Sequence, residues 1–129
     1  MTVETTVFVL TLGLGFFHIL LMAGCNIPVH GLMPLLGARD NLPTSDNVFL
    51  NRAWRANDNF KETAIWALPL LVLVQVTGDA NATTALGAWV YFWSRVVFVP
   101  LYFFGVHTLR TVAWAGGLVG IGMMAFQLL

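Results

Sequence analysis

Residues 5–25, 63–77 and 111–129 contain no Asp, Glu, Lys or Arg, and residues 80–105 contain only Arg95. Such long uncharged runs leave a chain few ways to fold. With 58% hydrophobic and 9% charged residues and a mean hydropathy of +0.80, a 129-residue chain cannot hide its apolar surface in one small core. Lipid is the solvent that fits. A span needs about 20 mostly apolar residues to cross about 30 Å of hydrocarbon. The sequence therefore predicts one all-α membrane domain over 1–129, with four spans at 5–25, 55–77, 80–105 and 111–129.

The second span constrains function as well as fold. Its charge-free part, 63–77, is only about 22 Å long at about 1.5 Å per residue. To cross, the helix must begin near Asp58 or earlier, which places Asn59 and Glu62 at the interface and Arg55 above them. Arg95 lies well inside the third span, where a lone charge costs about 2.5–3.5 kcal/mol on insertion scales. It has to face other helices, and Glu62 is the expected partner. Pro100 further along is expected to bend the span near Tyr102.

All six Lys and Arg lie in or beside the first and third connectors, whereas the opposite side offers Glu4 and Asp79. By the positive-inside tendency, those connectors and the charged cluster face the cytoplasm. Zero net charge gives no general attraction to nucleic acid. The single cysteine, Cys25, excludes an internal disulfide and reads as a helix-end residue. The stretch LLMAGC has a faint likeness to a lipoprotein cleavage box, but no basic residue precedes it.

At helical spacing, Arg55, Asn59, Glu62 and Trp66 share one face, with Arg52 one turn above. On the third span Arg95, Phe98, Tyr102 and Gly105 share another, and Arg110 follows. This set supplies guanidinium groups for carboxylates, a carboxylate for an ammonium, an amide and a phenol. It suits a zwitterionic ligand with more than one carboxylate. The same set also reads as an interfacial ion-pair network that orients helices. His18 stands alone inside the first span and is read as a structural, hydrogen-bonded residue, since no metal-ligand spacing accompanies it. Gly116 and Gly120 form a small-xxx-small pattern for close helix packing.

The stretch RAWRANDNFKET resembles the second-helix signature of the membrane-associated proteins in eicosanoid and glutathione metabolism, the MAPEG family, through Arg52, Arg55, Ala56, Asn59 and Glu62. SRVVFVPLYFFGVHTLRTVAW is similar to the family's third-helix region, and LLGARDNLP to its bacterial branch. The resemblance implies a four-helix bundle assembled as a homotrimer, with glutathione as co-substrate and a lipophilic electrophile entering from the bilayer. It implies glutathione contacts at Arg52, Arg55, Asn59, Glu62, Arg95 and Tyr102, and thiolate stabilisation by Arg110, with no metal. It also implies an integral protein of the bacterial inner membrane with a cytoplasmic site. Phe98 departs from the tyrosine or histidine of well-known members, and the Tyr102-to-Arg110 spacing differs by one residue. Two other readings stand beside the enzyme: a non-catalytic lipid-binding or scaffold protein on the same fold, and a small transporter with Arg95 and Glu62 in its path.

Overall fold

A computed structural model describes all 129 residues, and every regular element is helical. The order is α1 (Val3–His30), α2 (Leu32–Leu36), α3 (Val48–Thr77), α4 (Ala82–Phe103) and α5 (His107–Phe126). The four long helices run up and down and are each long and apolar enough to cross a membrane. At about 1.5 Å per residue, α4 and α5 match about 30 Å of hydrocarbon, whereas α1 and α3 exceed it by about 12–15 Å. Hydrogen bonds joining Glu4, Gln75 and Thr84, and Asn81 and Gln127, hold the four helices level at one end, so the excess length lies at the other, where α1 finishes and α3 begins.

Helix boundaries follow local chemistry. Thr2 caps α1, Asn47 caps α3 by accepting from the Leu50 N–H at 2.9 Å, and Asn81 forms a reciprocal capping box with Thr84. Gly78 ends α3 in the left-handed conformation, at φ 81°. The first helix continues through Pro28 to His30, so the connector expected after Cys25 starts later and contains the short helix α2. α4 likewise continues through Pro100 to Phe103.

The α3–α4 pair forms the centre, with α1 packed on one side and α5 on the other, and the backbones of α1 and α5 stay apart. Buried positions on α3 step by three and four: Ala53, Ala56, Asn57, Phe60, Thr63, Ala64, Ala67, Leu71 and Val74. Small residues along this stripe let the helices approach. Gly87 of α4 and Gly120 of α5 meet so closely that a Cβ on Gly120 would lie 2.5 Å from the Gly87 carbonyl oxygen. The small-residue pattern on the last helix therefore packs within the chain.

Val7, Ala67, Leu71, Ala88, Tyr91 and Met124 form an apolar core drawn from all four long helices. Only 25 of 129 residues are buried, and Phe16, Ile19, Leu20, Val72, Val76 and Val119 face outward. In a bilayer that surface meets acyl chains and incurs no hydrophobic penalty.

Candidate functional site

The arginine that has to be accommodated inside the bundle organises the open end. Arg95 is 1% exposed. Its Nη1 donates to Asn59 Oδ1 at 3.0 Å and its Nη2 to the Ala113 carbonyl at 3.2 Å. Its Cζ also stands 4.9 Å from the centre of the Phe98 ring, within cation–π range. One guanidinium thus ties α4 to α3 and α5 using neutral acceptors. The expected partner, Glu62, is exposed on α3 and makes no such bond. The reason is angular: Asn59 stands on the edge of the polar face turned toward α4, while Glu62 stands further round. The structure contains one ion pair, Lys61–Asp58 at 2.8 Å, on the exposed side of α3. Within the chain, no ion pair joins Arg52, Arg55, Glu62, Arg95 and Arg110 to one another.

Glycine makes room for the arginines. A Cβ on Gly117 would fall 2.8 Å from Arg95 Nη2, and one on Gly105 would fall 2.7 Å from Arg52 Nη2. Gly105 also has φ +76°, which the turn between α4 and α5 requires. Arg52 donates to the Phe103 carbonyl at 3.0 Å, satisfying an acceptor in the last turn of α4.

Beside Asn59 opens a cleft of about 200 Å3, lined by Asn59, Phe98, Tyr102, Arg110, Thr111 and Trp114. Three helices contribute: α3 the amide, α4 two aromatic rings and α5 the rest. Because Asn59 Oδ1 is held by Arg95, its amide NH2 is the group left to donate to a ligand. Arg110 lies with its Cζ 4.6 Å from the Tyr102 ring centre, and Phe98 and Tyr102 pack with centroids 5.4 Å apart. The start of α5, which carries Arg110 and Thr111, has no side-chain cap. An uncapped helix start with a guanidinium in its first turn favours negative charge.

Of the residues singled out from sequence, Asn59, Tyr102 and Arg110 line the cleft, and Arg95 stands directly behind Asn59. Arg55 and Glu62 stand exposed on the same α3 face, outside the cleft, and Arg52 is engaged at the end of α4. Trp66, which shares the helix face of Asn59, does not wall this cleft; Trp114 does. Trp114 was legible only as a residue one turn beyond Arg110, a spacing that puts both on one face of α5. His18 is 1% exposed but its Nδ1 has no hydrogen-bond partner. It is held by stacking on Phe60 at 4.9 Å, not by the hydrogen bond expected of it.

Four apolar helices around a cationic interhelical cleft define an integral, multi-pass membrane protein. The chain belongs to the MAPEG family, whose family model matches residues 5–129, essentially its whole length. No individual curated protein and no solved structure matches it. Family membership supports a membrane protein of the glutathione and eicosanoid-related type in general, a group that includes glutathione transferases, related enzymes and non-catalytic members.

Proposed function

We propose that the chain is a membrane-embedded glutathione transferase or peroxidase acting on a lipophilic electrophile. The observation that carries this reading is the cleft in which Asn59, Tyr102 and Arg110 meet across three helices. Arg110 supplies a cation for a thiolate, lowering a thiol pKa that is about 8.5 in the free state. Asn59 donates to a peptide carbonyl or carboxylate, and Arg95 is the positioning residue behind it. Arg55 and Glu62 offer a guanidinium for a carboxylate and a carboxylate for the α-ammonium. In conjugation, the thiolate sulfur attacks an electrophilic carbon, the C–S bond forms and the leaving group departs with its electron pair. With a hydroperoxide, attack on oxygen releases an alcohol, and a second glutathione converts the sulfenic acid to disulfide and water.

A cleft of about 200 Å3 is below the range of about 300–1,000 Å3 common for small-molecule sites. Arg55 and Glu62 lie outside it on the same helix face. Both facts fit a site completed by a neighbouring copy, as in a homotrimer; the basic residues gathered at the open end favour its facing the cytoplasm of a bacterial inner membrane. Phe98 favours a second reading. Its apolar ring in the cleft wall suits a non-catalytic lipid-binding or scaffold protein on the same fold. Calorimetry with glutathione on the detergent-purified protein separates the two. Saturable binding that is weakened about tenfold in Arg55→Ala supports the thiol site; no binding by a folded protein supports the scaffold.

A further inference from the structure

A second hollow lies away from the cleft, where α1 leaves the bundle. Met22 and Ala23 of α1, Leu35 of α2 and Trp54 of α3 enclose an apolar space of about 240 Å3 whose polar members are Asn26 and Arg39. A polar hollow of about 270 Å3 shares Arg39 and adds Asp40 and Asn41. The two spaces adjoin at Arg39, which has apolar lining on one side and polar lining on the other.

Its depth is set by helix length. From Val3, about 20 residues of α1 traverse about 30 Å, so Met22 and Ala23 stand at the edge of the hydrocarbon. Arg39 and Asp40 then fall at head-group level, beyond α2. Arg39 is the one non-glycine residue with positive φ, +64°, a conformation that costs on the order of 1 kcal/mol or more and persists only where its surroundings hold it. Its Nε donates to the Leu35 carbonyl at 2.7 Å, which anchors the guanidinium at the junction of the two spaces. Arg39 and Asp40 make no ion pair with each other or with any other group. A fixed cation and an adjacent anion, both unpaired, thus stand at the mouth of an apolar slot.

We propose that this site binds a phospholipid with a phosphoethanolamine head group. The acyl chain occupies the slot between α1 and α2, the phosphate sits on Arg39 and the primary ammonium on Asp40. A guanidinium suits phosphate geometry, and a carboxylate suits an ammonium that still has N–H donors. A phosphoglycerol head has no cation for Asp40, and a choline head has a cation without N–H. The site is separate from the thiol cleft, so this inference does not depend on the catalytic reading.

The test is native mass spectrometry of the full-length protein in detergent, titrated with dioleoyl lipids bearing ethanolamine, glycerol or choline head groups. The expected result is a preference of about fivefold for the ethanolamine lipid, the size of one charge contact at a membrane surface. Asp40→Asn removes that preference and leaves binding of the other two lipids unchanged. Arg39→Gln weakens all three, and Ala23→Trp, which fills the slot from an exposed position, does the same. Equal affinity for the three lipids, preference for the glycerol lipid, or retained preference in Asp40→Asn would overturn the head-group assignment. Unchanged binding in both Arg39→Gln and Ala23→Trp would overturn the site.

Discussion

The two ends of the bundle treat polar side chains in opposite ways. At the end where α1 begins, Glu4 is buried and its carboxylate accepts from Thr84 Oγ1 at 2.5 Å and from Gln75 Nε2 at 3.1 Å. Asn81 of the α4 cap reaches Gln127 at 3.0 Å, so every long helix is tied in. The apolar core lies just inside this closure. At the other end, Arg95 bonds an amide and a carbonyl through its two terminal nitrogens while its buried Nε has no partner, and the groups around it line a cleft. A closed end spends its hydrogen-bonding capacity on stability, because buried polar groups left unpaired are costly. An open end keeps part of that capacity for a ligand. The cleft lies at that open end.

Breaking the open end at its cation gives the largest effect. Arg110→Ala should lower turnover with glutathione about 100- to 1,000-fold, the loss seen when an electrostatic stabiliser is removed, with binding changed far less. Steady-state kinetics beside calorimetry check this, and unchanged turnover would remove Arg110 from the mechanism. Arg95→Ala removes the side-chain donors to Asn59 Oδ1 and to the Ala113 carbonyl at once. A loss of about 3 kcal/mol in stability is expected, read by denaturant titration in detergent, together with weaker glutathione binding.

The closed end should respond in stability alone. Glu4→Ala breaks the link to Gln75 and Thr84 and is expected to cost about 2 kcal/mol, while glutathione affinity stays at the wild-type value. A matching loss of affinity would show that the two ends are coupled and not independent. The smallest effect sharpens the contrast from the other side. Arg55 is exposed, so Arg55→Ala should leave stability within about 0.5 kcal/mol and weaken glutathione by about tenfold, close to one charge-assisted contact.

Much of this was legible in the chain. Four apolar runs predict four helices, and the shortness of the charge-free part of the second predicts a helix that starts outside the hydrocarbon; α3 starts at Val48. The resemblance read from Arg55, Asn59 and Glu62 agrees with the family match over residues 5–129. Other features were not legible, because the groups involved are specified by rotation and by backbone. Arg95 pairs with Asn59 and not Glu62 through a difference of a few tens of degrees around α3. Its second acceptor is the carbonyl of Ala113, which no side-chain pattern reveals. The seats that Gly105 and Gly117 give to Arg52 and Arg95 become visible only when helices are brought together.

The sequence by itself determined that this chain lives in lipid, as an all-helical family member with its basic residues gathered at one end. Hydrophobicity, helix length and charge are additive along a chain and can be read without neighbours. Tertiary structure decided which polar groups meet: Glu4 with Thr84 and Gln75, Arg95 with Asn59, and Arg110 with Tyr102 and Trp114 at the cleft. Those pairings depend on the rotation and separation of helices distant in sequence, and close packing of small residues sets both.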